Sequence, residues 1–163
     1  MMVKDLAISY WPTDEASARE FLQWKYEPPY AIYNYLPQYL EEDLVYHLDP
    51  ANNMYSIYRE GELVGYCSFG QDGRVTGGDY GEQALDIGLM IKPELTGQGL
   101  GSKFVKDVIR FARTQFKPNK LRVTILTTNL RAIRVWEKSG FQKTQTFKRE
   151  RDELTFLIMT KDM

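Results

Sequence analysis

Cysteine and histidine are almost absent from this sequence. Its 163 residues include a single cysteine, Cys67, and a single histidine, His47. One cysteine cannot form an internal disulfide, and one cysteine with one histidine argues against a zinc site. Cys67 lies in the apolar run LVGYCSF, where a buried, unreactive thiol is expected rather than a nucleophile. No Ser/His/Asp or Cys/His set indicates a covalent intermediate.

Long apolar runs and a strong net charge are also missing. No apolar run approaches the length that spans a bilayer. The N-terminal segment MMVKDLAISYWPTDE has no basic start followed by an apolar stretch and a small-residue cleavage site. The formal net charge is −1, which favours neither nucleic acid nor a membrane surface as a partner. We therefore expect a cytoplasmic protein.

The charges are unevenly distributed along the chain. Residues 1–95 contain 6 Lys and Arg against 16 Asp and Glu, whereas residues 96–163 contain 15 against 6. Two interpretations follow, and both can hold. The halves pack together and neutralise each other, or a site binds an anionic ligand on one side and a cationic ligand on the other.

The chain reads as a single domain over residues 1–163, of the α+β class. Hydrophobic residues make up 43% of it, enough for a sizeable core. Strands are predicted in LAISYW, in the hairpin MYSIYREGELVGYCSFG, in ALDIGLMI, in KLRVTILTT and in the final hairpin QTFKRERDELTFLIMT. Helices are predicted in TDEASAREFLQWKY, capped by Thr13 or Asp14, in PQYLEEDLVYHL, and in NLRAIRVWEKSGF, which ends at Gly140. We expect His47 to have a structural or surface role.

The stretch KPELTGQGLGSKFV places Gly97, Gly99 and Gly101 immediately before a further amphipathic helix. Apolar residues recur along that helix at helical spacing, at Leu100, Phe104, Val108, Ala112 and Phe116. A helix N-terminus presents unpaired N–H groups, and glycines allow a large anion to approach them. A tight strand-to-helix turn that binds nothing is the weaker interpretation. The phosphate-loop pattern GxxxxGK[ST] and the dinucleotide pattern GxGxxG are both absent.

The segment ALDIGLMIKPELTGQGLGSKFVKDVIRFAR, followed by NLRAIRVWEKSGF, resembles the GNAT acetyltransferase superfamily, and the match covers about half of the chain. The resemblance implies a central mixed, mostly antiparallel sheet with helices on both faces. One β-α-β crossover, over residues 85–127, would carry the pyrophosphate loop of coenzyme A. It also implies acetyl-CoA as co-substrate, without a metal, and transfer of the acetyl group to an amine.

Carried over residue by residue, the resemblance assigns the cofactor contacts. The loop would hold the pyrophosphate by its backbone, through Gly97, Gln98, Gly99, Leu100, Gly101 and Ser102. Met90 and Lys92 would pair by backbone with the pantetheine arm, which Asn129 would also contact. Thr96 replaces the usual Gln or Arg, and Trp136 stands where many members have an acidic tyrosine. An indole N–H is not a usable acid, so we expect Trp136 to pack near the pantetheine or in the core.

The resemblance also indicates the catalytic groups. The N–H of Met90 could face the thioester oxygen, and a base must remove a proton from the amine. Asp86 matches the position of a catalytic glutamate in some members, but it is equally compatible with a structural acid. Glu82 and Tyr80 are further candidates. The acceptor wall is predicted at Tyr26, Tyr30, Tyr33 and Tyr80; the tyrosines of the WKYEPPYAIYNYL segment can also be read as a core cluster.

These observations predict an acetyl-CoA-dependent N-acetyltransferase. Its acceptor would be a primary amine of a small, cationic molecule or of a protein, and it would be a monomer or homodimer. A first alternative is a non-catalytic module that senses acetyl-CoA, in keeping with the missing tyrosine. A second is a nucleotide-binding protein that uses the glycine loop for ATP or NAD.

Overall fold

The computed structural model describes residues 7–163. It contains seven strands and four helices in these residues. The strands are β1 Ile8–Pro12, β2 Met54–Arg59, β3 Glu62–Phe69, β4 Leu85–Ile91, β5 Lys120–Leu126, β6 Gln142–Lys148 and β7 Thr155–Asp162. The helices are α1 Glu15–Phe21, α2 Leu40–Leu48, α3 Gly101–Phe116 and α4 Leu130–Lys138. None of these helices is long and apolar enough to cross a membrane.

The strands form a mostly antiparallel sheet in the order β1-β2-β3-β4-β5-β7-β6. Strands β2 and β3 are joined by Glu60 and Gly61, which both have positive φ, as a two-residue hairpin turn requires. The one parallel pair in the described registers is β4 with β5, at Leu85–Leu121 and Asp86–Arg122. β7 pairs antiparallel with both β5 and β6. The predicted α+β class and the single crossover are confirmed.

The described residues form two compact units. The first unit consists of two segments, residues 7–67 and Leu89–Thr96. The core of this first unit is aromatic, with Phe21 stacked on Tyr66 at 3.9 Å between ring centroids. Asp14 caps α1 by accepting a hydrogen bond from the Ser17 N–H. Leu6, the first residue of the predicted strand LAISYW, lies outside the described residues.

Two sequence predictions for this unit are refined. The first helix ends at Phe21, earlier than predicted. Trp24 and Tyr26 lie beyond it in the core, and the Tyr26 N–H donates to the side chain of Asn34 instead of to a helix carbonyl. His47 is structural: it is 3% exposed, and its Nδ1 lies 2.7 Å from the backbone carbonyl oxygen of Asp43.

The second unit comprises Ser68–Gly88 and Gly97–Met163. The buried face of α3 carries Phe104, Val105, Val108, Ile109 and Ala112, which confirms the helical spacing read from the sequence. Strands β5 and β7 contribute the fully buried Leu121 and Met159. Cys67, at the boundary of the first unit, is buried as predicted, and burial raises the pKa of its thiol.

Candidate active site

The glycine loop before α3 leaves a helix N-terminus without a side-chain cap. Gly97 and Gly99 both have φ of +74°, a conformation that glycine adopts at little cost. Leu100, the N-cap residue, makes no capping hydrogen bond through its side chain. A Cβ atom at Gly99 would meet nothing within 4 Å. The first-turn amides of α3 therefore lack intrahelical partners and lie beside open space, as an anion site requires.

Gly97, Gly99 and Gly101 have different surroundings, so the absence of a side chain serves a different purpose at each position. A Cβ at Gly101 would lie 3.2 Å from Cγ2 of Val135, so glycine at 101 allows α3 and α4 to pack closely. A Cβ at Gly97 would lie 3.6 Å from a guanidinium nitrogen of Arg131. Arg131 therefore places positive charge beside the loop. No sequence pattern indicates this neighbour, because positions 97 and 131 are far apart along the chain.

Hydrogen bonds between β3 and the ends of β4 show which backbone groups of β4 face β3. The N–H of Lys92 donates to the Val64 carbonyl at 2.9 Å, and the Gly70 N–H donates to the Asp86 carbonyl at 2.9 Å. Between these two hydrogen bonds β3 advances by six residues, from Val64 to Gly70, and β4 also by six, from Asp86 to Lys92. The pairing of β3 with β4 therefore has no net insertion. Even-numbered residues of β4 therefore direct their backbone groups toward β3.

This register bears on the backbone roles predicted for Met90 and Lys92, which stay predictions. The N–H of Lys92 is already bonded within the protein, and Met90 shares its parity. Leu89 and Ile91 direct their N–H and C=O groups to the opposite edge. The side chain of Lys92 pairs with Glu62 at 2.8 Å, and Met90 packs against the core of the first unit.

Asp86 is a buried member of an ion-pair network. It is 1% exposed, and its two carboxylate oxygens accept from Nε and Nη2 of Arg122 at 2.6 and 2.8 Å. Nε of Arg74 donates to the same carboxylate at 2.9 Å. The hydrogen bond to Asp86 raises the pKa of Arg122. Because both oxygens are occupied by permanent cations, this geometry supports the structural interpretation of Asp86 and gives no support to a role as base.

Tyr80 and Glu82, the further candidates, lie around the same network. The Tyr80 hydroxyl accepts from the Val75 N–H and lies 2.9 Å from the Thr124 hydroxyl. The guanidinium of Arg122 lies 4.9 Å from the centre of the Tyr80 ring. The carboxylate of Glu82 is 65% exposed and pairs with Lys120 at 2.6 Å. Tyr80 is thus fixed as a support for Arg122, whereas Glu82 remains open to solvent.

Three of the predicted acceptor tyrosines, Tyr26, Tyr30 and Tyr33, lie in the first unit, whereas Tyr80 lies in the second. Tyr26 is 8% exposed, and its hydroxyl donates to the Ile91 carbonyl at 2.8 Å. Burial raises the pKa of Tyr26, so this hydroxyl keeps its proton. Tyr30 and Tyr33 lie on a short 3-10 helix and pack, partly buried, against the core. These contacts support the core interpretation, and the acceptor wall stays a prediction.

Asn129 and Trp136 sit on α4 of the second unit. Asn129 caps the helix, because its Oδ1 accepts from the Ala132 N–H at 3.2 Å. Trp136 is 6% exposed and contacts Phe141 edge to face, with 4.9 Å between ring centroids. The indole therefore packs in the core, in agreement with one of the two places predicted for it.

Comparison with known proteins identifies the family. The acetyltransferase (GNAT) family profile matches residues 15–141. The chain is 30% identical over 95 residues to the spermine/spermidine N(1)-acetyltransferase of Bacillus subtilis, a match that covers 53% of this chain and 57% of that one. It is 27% identical over 134 residues to an aminoglycoside N(6')-acetyltransferase of Klebsiella pneumoniae, with 78% and 62% covered. The matches thus span about 60% of the length of these relatives.

A solved structure gives the same result for the fold. The aminoglycoside acetyltransferase AAC(6')-Ib in complex with coenzyme A and kanamycin superposes with a TM-score of 0.76 at 20% identity, covering 96% of this chain and 95% of that one. The profile match covers the sequence from α1 to the end of α4, and the superposition shows that the fold is shared. The chain belongs to the acetyltransferase (GNAT) family.

Proposed function

We propose that this protein transfers an acetyl group from acetyl-CoA to a primary amine of a small, cationic molecule by direct attack. The observation that carries the proposal is the glycine loop at the uncapped start of α3, in a chain of the acetyltransferase family. The relatives named for spermine and for aminoglycosides act on polycationic amines, which supports the same class of acceptor here.

The cofactor would be held mainly by backbone groups. The amides from Gln98 to Ser102 would donate to the pyrophosphate, because a helix N-terminus favours negative charge, and Arg131 would add a cation beside them. The pantetheine arm would pair with the outward backbone edge of β4, at Leu89 and Ile91, rather than with Met90 and Lys92. The Ile91 carbonyl already accepts a hydrogen bond from Tyr26. The pantetheine arm would therefore pair mainly with the N–H groups of Leu89 and Ile91.

Acetyl transfer requires a neutral amine and a donor at the developing oxyanion. In this proposal the N–H of Leu89 takes the donor role first assigned to Met90. The base would be Glu82 or a water chain, because Glu82 is the one exposed carboxylate of the three acid–base candidates. Asp86 would act as a positioning residue that fixes β4 against β5. Trp136 stands at the position of the acidic tyrosine and is not a usable acid, so solvent or the outgoing ammonium would protonate the thiolate.

A cationic acceptor is favoured by the acidic surface of the first unit. Exposed carboxylates lie in its α1 and α2 and in the segment between them, at Glu15, Glu20, Glu27, Glu41 and Glu42. Such a surface concentrates cations, and the attraction weakens as the ionic strength rises. A polyamine or an aminoglycoside carries the several positive charges that would exploit it.

A turnover screen tests the proposal. Spermine, spermidine, kanamycin and neutral or anionic amines would each be incubated with acetyl-CoA, and released thiol would be measured. We expect the polycations to react fastest and their kcat/KM to fall with salt. Tight binding of acetyl-CoA without turnover of any amine would support the sensing module instead. A thermal shift with ATP or NAD but none with coenzyme A would support the nucleotide-binding alternative.

The one-domain organisation, the cytoplasmic location and the monomeric or dimeric state belong to the same proposal. Analytical ultracentrifugation of the full chain with and without acetyl-CoA would measure the number of subunits.

A further inference from the structure

A basic groove lies on the second unit, away from the residues assigned to acetyl transfer. It has a volume of about 420 Å³ and is lined by α3, by the end of α4 and by β7. Its cationic side chains are Lys106, Arg110, Arg113, Lys138 and Lys161. A volume in this range is typical of small-molecule sites, and five of the eight residues that line the groove are Lys or Arg.

Most of these charges are not neutralised within the protein. Arg110 pairs with Asp107 at 3.1 Å. Across residues 7–163, no carboxylate lies within ion-pair distance of Lys106, Arg113, Lys138 or Lys161. Four uncompensated cations around one concave surface repel each other, and an anion bound there would relieve that repulsion.

Lys161 is placed by a glycine. Gly140, with φ of +97°, follows the end of α4, and a Cβ atom at this position would collide with the Lys161 ammonium. The absence of a side chain at 140 therefore admits the ammonium to the carboxyl end of α4, where the partial negative charge of the helix favours a cation. Lys161 thus offsets the charge of that helix end, whereas Lys106, Arg113 and Lys138 have no carboxylate partner among the described residues.

The groove runs along α3 from its second turn to its last turn, and it does not include the glycine loop. Lys106 and Arg113 follow Gly101 by five and twelve residues, which is about 7.5 and 18 Å along the helix axis at 1.5 Å per residue. Lys161 pairs with Leu121, near the start of β5, whereas Asn129 follows the end of that strand. The helix N-terminus proposed to hold the pyrophosphate is therefore not part of this groove.

We propose that this groove is a second anion site, separate from the acetyl-CoA site, which binds a compact molecule with two or more phosphate groups. Guanidinium and ammonium groups are the side chains that bind phosphate best, and one small polyanion can contact several of them at once. The proposal does not depend on acetyl transfer.

Isothermal titration with inorganic tripolyphosphate at low ionic strength tests it. The titration is made with the full chain alone and with the chain saturated with coenzyme A. We expect one tripolyphosphate per chain when coenzyme A occupies the glycine loop. The chain alone also offers that loop to a polyphosphate, so it should bind one more. Lys106→Gln with Arg113→Gln should weaken binding at least about tenfold, since both side chains contribute charge to the groove. Both residues are exposed and their removal relieves repulsion, so the thermal midpoint should not fall.

The matched control removes the same charge elsewhere. Arg134→Gln with Lys148→Gln changes two exposed cations outside the groove, again one arginine and one lysine, and should leave the affinity within about twofold if binding is local. Equal losses in the two double variants would mean general attraction to a basic surface and would overturn the proposal. Absence of saturable binding, or complete loss of binding when coenzyme A is present, would equally overturn it.

Discussion

Asp86 and Arg122 are direct partners across the parallel strands β4 and β5, and their side chains form a two-point ion pair. Both oxygens of the carboxylate accept from the guanidinium, at 2.6 and 2.8 Å, and the two residues are 1% and 2% exposed. Such a pair fixes the relative position of the two strands because neither charge is stable in the interior without the other.

Asp86→Asn should mainly affect stability. The variant leaves Arg122 buried without a full counter-charge, and we expect the free energy of unfolding to fall by about 3 kcal/mol, as measured by urea titration. Turnover, corrected for the folded fraction, should not recover at high pH. A stable variant whose turnover falls about a hundredfold and returns at high pH would identify Asp86 as a base after all.

An exposed aspartate of the same sheet provides the control. Asp162 pairs with Lys120 at 3.4 Å and is 86% exposed. Asp162→Asn should change the free energy of unfolding by less than about 1 kcal/mol, because surface ion pairs contribute little.

Gly99→Ala should weaken coenzyme A binding. Its backbone has φ of +74°, so a side chain adds strain of about 1 kcal/mol, and the new methyl group enters the space beside the helix amides. We expect the dissociation constant for coenzyme A to rise roughly tenfold, because close approach to the amides is lost. Equilibrium binding to the folded variant measures this.

Gly61→Ala separates strain from binding. Gly61 has φ of +78° and, like Gly99, nothing within 4 Å of its missing Cβ, but it lies in the β2–β3 turn. We expect a similar loss of stability with unchanged coenzyme A affinity. If both variants alter that affinity equally, the loop is not the pyrophosphate site.

The N-cap Asp14 should give a pH-dependent contribution to stability. The Ser17 N–H bonded to its carboxylate lowers the pKa of Asp14 below the usual 3.8. A lowered pKa in the folded state means stability that is present above the unfolded pKa and lost as pH falls through the folded pKa. Asp14→Ala should therefore cost about 1 kcal/mol at neutral pH and less below pH 3.8.

Asp14→Asn isolates the charge in that experiment. Asparagine keeps an acceptor for the Ser17 N–H and caps helices as well as aspartate does. We expect its stability difference from the parent protein to shrink as the pH is lowered in thermal melts. A difference that stays constant from neutral to acidic pH would show that the carboxylate charge contributes nothing.

Trp136→Phe should keep most of the turnover. The indole is buried against Phe141, so its loss removes packing and no proton donor. We expect kcat within a few-fold of the parent protein; a general acid would cost about a hundredfold. Trp24→Phe, in the core of the first unit, measures the general cost of shortening a buried tryptophan.

The order of strands and helices could be predicted because their signals are local. Prolines, glycines and the period of the apolar residues determine where Gly101–Phe116 and Leu130–Lys138 begin and end. The backbone edge of β4 could not be predicted in the same way. The run ALDIGLMI is apolar on both faces, so its side chains do not indicate which residues pair with β3. The register in the structure is the reason why we propose that the pantetheine arm pairs with Leu89 and Ile91 rather than with Met90 and Lys92.

The sequence by itself determined the features that depend on a few neighbouring residues: the bare backbone at Gly97 and Gly99, the capped start of α1 and the buried face of α3. Only the tertiary structure decided the role of Asp86. Its partners Arg122 and Arg74 are distant in sequence, and a carboxylate facing water and one held by two guanidinium groups look the same in a sequence. Strand pairing brings the charges together, and burial then makes their pairing obligatory.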